Sequence, residues 1–207
     1  MRIKPLLCGL ALASSLVATN AYAETLWEGL EMRVGVSAPV VDSHTKIGDA
    51  DYEHADDIWA GFSGTLSFGY RWGQYGLYLD QDLGGIWWQG EGDLDPAFIG
   101  GTYVTFRGLI CARHDVEIDL GFGVGTMYSG GDKNKGTVIV GNKDGDHSAA
   151  FAMKFEFGLT YYLIPNTVGV GVTLDYNLGL NFFTMEDVDI KHLIHHINPG
   201  LHVVAQF

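Results

Sequence analysis

The sequence has 207 residues, with 25 acidic and 12 basic side chains and a formal net charge of −13 at pH 7. This length is enough for one domain with its own core. A chain this acidic would repel the phosphates of nucleic acid, which argues against nucleic-acid binding.

The N-terminus has the features of an export signal. Arg2 and Lys4 form a positively charged start, the run "LLCGLALASSLVA" is apolar, and "AYA" is a small-x-small cleavage site. The apolar run is shorter than the about 20 residues that a membrane helix needs. We therefore predict that residues 1–23 are removed and that residues 24–207 form the mature domain, with a formal charge of −15. Cys111 is then the only cysteine, so an internal disulfide is not expected.

Hydropathy alone indicates a soluble secreted protein, but alternation of apolar and polar residues predicts eight long β-strands. In "FSGTLSFGYRW", which begins at Phe62, even positions are apolar or glycine and odd positions are small or polar. This alternation is typical of a strand with two unlike faces. A tilted strand crosses a bilayer with roughly 9–11 residues, so stretches of this length are sufficient. The strands are predicted near residues 26–37, 60–72, 75–87, 98–110, 116–128, 149–163, 168–180 and 193–207.

The connections between these strands alternate in length. The short ones are "GQ", "CARHD" and "IPNT". The long ones are residues 38–59, 88–97, 129–148 and 181–192. Short turns on one side and long loops on the other are typical of a membrane barrel with periplasmic turns and external loops. The predicted fold is an all-β, eight-stranded antiparallel up-and-down transmembrane β-barrel.

The composition of the two faces predicts which one meets lipid. One face is apolar and uncharged at its central positions, as in Leu120, Phe122 and Val124. A charge there would cost about 2–4 kcal/mol at mid-bilayer. The other face is rich in glycine and ionisable residues, which suit a narrow lumen. The predicted polar network of the lumen consists of Glu31, Arg33, Arg71, Asp80, Asp82, Arg107, Glu117, Asp119, Lys154, Glu156, Asp175 and His202, with His196 on the same face.

Aromatic residues near the predicted strand ends are expected to form interfacial girdles. They are Trp72, Tyr75, Trp87, Trp88, Tyr128, Tyr161 and Phe182. The alternative to a membrane barrel is a soluble lipocalin-like cup, in which the apolar face would line an internal ligand cavity and the glycine-rich face would meet water.

Long alternating strands, tight turns such as "YYLIPNTVGVGV" and a final strand that ends in phenylalanine resemble the small outer-membrane β-barrel proteins of Gram-negative bacteria, of the OmpA transmembrane-domain and OmpX type. The resemblance implies that the terminal aromatic residue and the alternating residues before it are read by the barrel-insertion machinery. Those positions are Leu201, Val203, Ala205 and Phe207, and Ala205 is smaller than the residue usual in the family. The resemblance also implies contact with outer-membrane lipids and lipopolysaccharide.

Two interpretations of the lumen charges are open. The acidic residues could line a narrow cation path or bind a metal, or they could pair with the three arginines and Lys154 and plug the lumen. Interleaved signs favour pairing, because unpaired charges are costly in a narrow, poorly hydrated interior. The surplus of acids predicts that some carboxylates are protonated or bridged by water.

Two acidic, histidine-bearing segments of the predicted outer loops could bind divalent ions, alone or as bridges to lipopolysaccharide phosphates. Their residues are His44, His54, Glu186, Asp187, Asp189, His192 and His195. The spacing matches no defined metal motif, so no metal or cofactor is predicted.

Enzymatic activity on lipid A is a further alternative. His147 and Ser148 are adjacent, so their side chains would point to opposite faces of a strand. The His-x-Ser spacing of the lipid A deacylase family is absent, and no catalytic residue is predicted. We expect a non-enzymatic protein whose four outer loops contact host molecules, lipopolysaccharide or other envelope components. A narrow channel for small or hydrophobic solutes is the next alternative.

Overall fold

The computed structural model describes residues 28–47, 50–53, 59–89, 94–112, 115–130, 147–185 and 188–207, so the predicted export signal lies outside the described residues. No helix in these ranges is long and apolar enough to cross a bilayer. The strands are β1 (Glu28–Ser37), β2 (Val40–Ile47), β3 (Ala50–Glu53), β4 (Trp59–Trp72), β5 (Tyr75–Gln89), β6 (Leu94–Ala112), β7 (Val116–Gly130), β8 (His147–Ile164), β9 (Val168–Met185) and β10 (Val188–Gln206).

The strands close into an antiparallel barrel. β1 pairs with β10 on one side and with β4 on the other, so Val34 lies opposite both Val203 and Leu66. β2 continues β1, because it pairs with β10 and β4, the same two strands that flank β1, at the residues just beyond those paired with β1. With β1 and β2 counted as one strand, and with the short β3 left out because it pairs only with β2 among the described strands, the closed barrel has eight strands, each bonded to its sequence neighbours. Closure satisfies the backbone groups at both edges of the sheet, as a membrane requires. The predicted fold is confirmed.

Proline explains why the first barrel strand is divided in two. Ala38 and Pro39 separate β1 from β2, and Pro39 has no N–H to donate to a neighbouring strand. The ladder continues around the break, because the amide of Ala38 donates to the carbonyl of Pro199 at 2.9 Å and that of Gly61 to the carbonyl of Pro39 at 3.0 Å. The interruption therefore leaves the barrel wall closed.

One end of the barrel, here called the terminal end, carries Glu28, Phe207 and the short turns. Gly73, in the turn between β4 and β5, has a φ of 65°, and Asn166, in the turn between β8 and β9, has a φ of 54°. Glycine and asparagine are the residues that adopt this left-handed conformation most readily. The opposite end is called the distal end, and the long connections lie there.

The strands extend further toward the distal end than the sequence predicted. β9 continues to Met185 and β10 begins at Val188, inside the segment predicted as a loop. β2 and β3 form a hairpin within residues 38–59, which were also predicted as a loop. Alternation of apolar and polar residues marks a strand only where its two faces meet unlike surroundings, whereas backbone pairing does not depend on it. The predicted loop boundaries are therefore wrong, and the sheet extends beyond the stretches in which apolar and polar residues alternate.

The outer face is apolar and the inner face is polar. On β7, the side chains of Leu120, Phe122 and Val124 are exposed, whereas that of Asp119, which comes directly before Leu120, is fully buried. The same arrangement recurs on every strand that contributes to this band of exposed apolar side chains, here called the lipid-facing belt. A lipocalin-like cup would have the apolar side chains inside, so that alternative is wrong. Among the predicted girdle residues, Trp72, Tyr75 and Tyr161 are exposed at the terminal end and Tyr128 is half-buried. The side chains of Trp87, Trp88 and Phe182 lie outside the described residues.

Candidate functional site

The structure places all twelve residues of the predicted network inside the barrel. None of them is more than 6% exposed. They come from all eight barrel strands, and each lies on the inner face because its neighbours on the strand point to lipid. The contacts divide the network into three layers, which follow one another from the terminal end toward the distal end.

The layer nearest the terminal end joins Glu31, Arg71 and Glu117. Arg71 Nη1 lies 2.8 Å from Glu117 Oε2 and 3.4 Å from Glu31 Oε2. Gln206 Nε2 donates to Glu31 Oε2 at 3.1 Å and to the Tyr162 hydroxyl at 2.7 Å. The Tyr162 hydroxyl in turn donates to Glu117 Oε2 at 3.1 Å. This closed ring of hydrogen bonds ties the last strand to the first across the base of the lumen.

Two arginines organise the middle layer. Arg33 Nε donates to Glu31 Oε1 at 2.8 Å, and its Nη1 reaches Asp119 at 3.2 Å. Arg107 Nε donates to Glu156 Oε1 at 2.7 Å, and Nη2 lies 2.9 Å from both carboxylate oxygens of Asp80. The guanidinium of Arg107 also lies 4.3 Å from the centre of the Tyr78 ring. Planar, multiply donating guanidinium groups suit this crowded set of carboxylates.

The third layer has one cation. Lys154 Nζ lies 3.2 Å from Asp175, 3.4 Å from Asp80, 3.5 Å from Glu156 and 3.8 Å from Asp82. Four carboxylates therefore share one ammonium, which is itself only 3% exposed.

The network contains more acids than bases. Seven buried carboxylates face three buried arginines and one buried lysine. Among the described residues, both oxygens of Asp82 and one oxygen each of Glu117 and Asp175 have no hydrogen-bond partner. Buried acceptors of this kind need a proton or an ordered water molecule to be satisfied. Within the described ranges, no group of three or more histidine, cysteine, aspartate or glutamate side chains is arranged to hold a metal ion.

Histidines and asparagines line the wall beside the third layer. Asn177 and Asn198 each place an amide nitrogen 3.4 Å from Nδ1 of His196, and all three side chains are at most 3% exposed. His202, nearer the terminal end, has its Nε2 atom 2.9 Å from the hydroxyl oxygen of Thr160. The two predicted lumen histidines thus contact neutral partners rather than the carboxylates.

An apolar layer, which the sequence analysis did not predict, closes the lumen above Lys154. Its members are packed together and at most 2% exposed. They are Val41, Ile86, Ile99, Tyr103, Met127, Ala152 and Ile194. The parity of the strands could have found them, since Ile86 continues the inner face of Asp80 and Asp82, and Ala152 continues that of Lys154. The assumption that the whole lumen is polar is therefore wrong for its distal part.

Tyrosines are the second group that sequence reasoning missed. Tyr78 and Tyr103 are 3% and 1% exposed and fill the lumen beside glycines. A Cβ atom at Gly76 would lie 2.6 Å from the Tyr78 hydroxyl, so a larger residue at that position would collide with the ring. Glycines therefore suit the narrow lumen because they leave room for large side chains such as these tyrosines.

The last residues of the chain close the barrel at the terminal end. The amide of Phe207 donates to the carbonyl of Leu30 at 2.8 Å, and the amide of Leu30 donates back at 3.1 Å. The side chains of Phe207, Leu201 and Val203 are exposed on the outer face, and Ala205 is half-buried there. Phe207 therefore pairs with the first strand and points to lipid.

The residues considered for metal binding or catalysis at the distal end are only partly described. His54, Glu186 and Asp187 lie outside the described residues. His44, Asp189, His192, His147 and Ser148 belong to strands, but their side chains also lie outside the described residues. Of this group, only His195 has a described side chain, and its Nδ1 lies 2.6 Å from the hydroxyl oxygen of Tyr176.

Comparison with known proteins identifies the fold. No protein-family model matches the sequence, and no curated protein matches it. Among solved structures, Neisserial surface protein A matches with 14% identity and a TM-score of 0.52, over 85% of this chain and 97% of that one. OprG from Pseudomonas aeruginosa matches with 10% identity and a TM-score of 0.44, over 84% and 96% of the two chains. The outer membrane protease OmpT from Escherichia coli matches with 8% identity and a TM-score of 0.45, over 89% and 99%. The chain has the fold of the small outer-membrane β-barrels, and fold alone does not assign an activity.

Proposed function

We propose that this protein is an integral outer-membrane barrel with a closed lumen, and that it acts by contact at its distal end rather than by transport or catalysis. The single observation that carries the proposal is the filled interior: three layers of paired charges under an apolar layer. Because the charged groups and the apolar side chains fill the lumen, a partner can bind only to the outer wall or to the distal end.

The apolar layer supports a lumen closed to ions. Ile99 on β6 and Ile194 on β10 come from opposite walls of the barrel and belong to one buried cluster, whose members are at most 2% exposed. An apolar constriction of this kind excludes water and therefore ions. Below it, Arg107 and Lys154 hold carboxylates from opposite walls together, and an ion could pass only if these pairs separated. A narrow channel is the less favoured function for this reason.

The distal sheet supports a role in surface contact. β10 pairs with β2 from Ile197 to Ile190, beyond the level at which β1 ends, and β3 extends the same sheet. Strands that rise above the lipid-facing belt form a rigid base for the connections between them. Loops held on such a base could contact host molecules, lipopolysaccharide or other envelope components.

Recording in planar bilayers tests the closed lumen. Purified protein is expected to produce no conductance steps under conditions in which a known porin, added to the same chamber, produces them. Reproducible steps from the protein alone would overturn the proposal in favour of a channel. Heat-modifiable gel migration before the recording shows that the silent sample is folded.

A non-enzymatic role is part of the same proposal. Two hydroxyl–imidazole pairs occur among the described side chains. That of Thr160 and His202 lies inside the lumen, where both residues are at most 6% exposed and substrate has no access, and that of Tyr176 and His195 offers a phenol rather than a serine or threonine hydroxyl. Lipid A from cells with and without the protein is expected to have the same mass spectrum. A clean change in acyl mass would assign an enzyme instead.

The location and orientation have a direct test on intact cells. An epitope inserted between Gly48 and Asp49 is expected to be accessible to antibody from outside, and one inserted between Gly73 and Gln74 is expected to be accessible only after the outer membrane is opened. The reverse result would contradict the proposed orientation.

A further inference from the structure

The outer wall of the barrel is concave at one place. The groove crosses four neighbouring strands, β8, β9, β10 and β1, and has a volume of about 640 Å³. Two rows of side chains line it. In the row nearer the terminal end, Val34, Val203, Val170 and Tyr161 lie opposite one another, and in the next row Val36, Leu201, Val172 and Leu159 do so.

Short side chains explain the concavity. Five of the eight residues in the two rows are valines, whereas the next row toward the distal end carries Phe157 opposite Leu174. Glycines on the inner face let the strands and the lumen side chains approach closely behind these rows. A Cβ atom at Gly35 would lie 2.5 Å from the carbonyl oxygen of Leu201, and one at Gly171 would lie 2.6 Å from the His202 ring. The groove thus results from the short outward side chains of these two rows.

We propose that this groove holds an acyl chain of an inner-leaflet phospholipid, an inference that rests on the outer-membrane location proposed above. The groove belongs to the lipid-facing belt, and every outward residue that lines it is apolar except at the Tyr161 hydroxyl. Its volume falls within the range of roughly 300–1,000 Å³ that is usual for ligand sites. A charged head group has no partner among these residues, whereas a hydrocarbon chain fits them.

The position of the groove selects the leaflet. Tyr161 lies three residues before the end of β8, and Val170 is the third residue of β9, so the groove begins beside the short turn at the terminal end. In the proposed orientation this end is periplasmic, where the leaflet consists of phospholipid rather than lipopolysaccharide. Tyrosine at such a boundary places its hydroxyl near the head groups.

A second copy of the chain fits the groove less well than a lipid. A twofold contact would bring two identical concave surfaces together, because each subunit contributes the same patch. Both grooves would then remain unfilled, with loss of the packing that stabilises an interface in lipid. A flexible chain from the bilayer fills the concave surface without this cost.

Photo-crosslinking with an acyl chain tests the proposal. The folded protein is reconstituted with phospholipid that carries a diazirine in its acyl chain, and labelled residues are located by mass spectrometry. Labelling at Val172 and Leu201 is expected to exceed that at Leu79 and Val104, on the other side of the barrel, severalfold. Even labelling around the barrel would mean ordinary surrounding lipid and would overturn the proposal.

A matched pair of substitutions adds a second measurement. Val172→Trp fills the groove and is expected to abolish the excess labelling at Leu201, whereas Leu79→Trp, also on the exposed outer face, leaves it unchanged. Excess labelling from lipopolysaccharide with a diazirine acyl chain, but not from phospholipid, would overturn the inner-leaflet source. A dimer that Val172→Trp abolishes would assign the groove to a second copy. Conductance by the wild type would overturn the closed lumen without changing any of these labelling results.

Discussion

Asp80 and Asp82 follow each other on the lumen side of β5, and their contacts predict different effects of the same substitution. Arg107 Nη2 lies 2.9 Å from both carboxylate oxygens of Asp80, and Lys154 lies 3.4 Å away. Removing one partner of a buried ion pair costs about 3–5 kcal/mol, because the other charge stays buried. Asp80→Asn is therefore expected to lower the free energy of unfolding by about that amount.

Asp82 has the same burial but weaker contacts. Neither of its oxygens has a hydrogen-bond partner, and its nearest described cation is Lys154 at 3.8 Å. Lys154 keeps three other carboxylates when Asp82 is neutralised, and the surplus of negative charge in the third layer falls. Satisfying a buried polar group is worth about 1–3 kcal/mol. Asp82→Asn is therefore expected to leave the free energy of unfolding unchanged or raise it by up to about this amount.

Urea unfolding in phospholipid vesicles, followed by tryptophan fluorescence and by heat-modifiable gel migration, measures both variants beside the wild type. The two substitutions change side-chain size equally, so each controls for the other. A difference of about 3 kcal/mol or more between the variants corresponds to a factor of at least roughly 100 in the unfolding constant. Equal destabilisation by the two substitutions would refute the assignment of Asp80 as the paired residue and Asp82 as the surplus charge.

Other substitutions test the faces, the apolar layer and the chain end by the same unfolding assay or by folding yield. Leu120→Arg is expected to cost about 2–4 kcal/mol, whereas Tyr161→Arg at the terminal end should cost about 0–1 kcal/mol; equal costs would contradict the assigned depths. Ala152→Asp places an unpaired charge in the apolar layer and is expected to prevent folding, while Ala152→Ser folds with a loss of about 1–3 kcal/mol. Deletion of Phe207 removes two backbone hydrogen bonds to Leu30. If the chain end is the insertion signal, the deletion lowers the amount of folded protein in the outer membrane, whereas Phe207→Tyr keeps that amount at the wild-type level. Normal insertion after the deletion would reject the role of Phe207 as an insertion signal.

Alternation along the strands was sufficient to predict the barrel and its faces. A β-strand repeats every two residues, and lipid and lumen impose opposite demands, so neighbours such as Asp119 and Leu120 reveal their sides without any knowledge of pairing. The terminal Phe207 could be placed for the same reason. The number of strands followed from the number of alternating stretches, and the order of short and long connections agreed with it.

Pairing within the lumen could not be predicted, because it depends on register and on the tilt of the strands. Arg33 contacts Glu31 on its own strand and also Asp119, which is on the opposite side of the barrel. The surplus of carboxylates was visible in the composition, but its concentration around Lys154 was not. The concave groove was hidden for a related reason, since its two rows become continuous only when four strands are in register.

Strand ends at the distal side were also beyond sequence reasoning. β9 ends at Met185 and β10 begins at Val188 by backbone pairing, in a segment where the sequence does not alternate between apolar and polar residues. The apolar layer is different, because Ile99 and Met127 do obey the parity of the inner face. They could have been assigned to the lumen from the sequence, had apolar residues been allowed there.

The central claim is that apolar side chains face lipid while the alternating residues are enclosed, and two adjacent positions on β8 test it most directly. Phe151→Cys and Ala152→Cys, each in a Cys111→Ser background, place a thiol on the outer and the inner face of one strand. The account predicts that a lipid-soluble thiol reagent modifies position 151 in the folded barrel, and that position 152 reacts with lipid-soluble or aqueous reagents only after unfolding. Rapid modification of position 152 from the lipid phase, with position 151 protected, would contradict it.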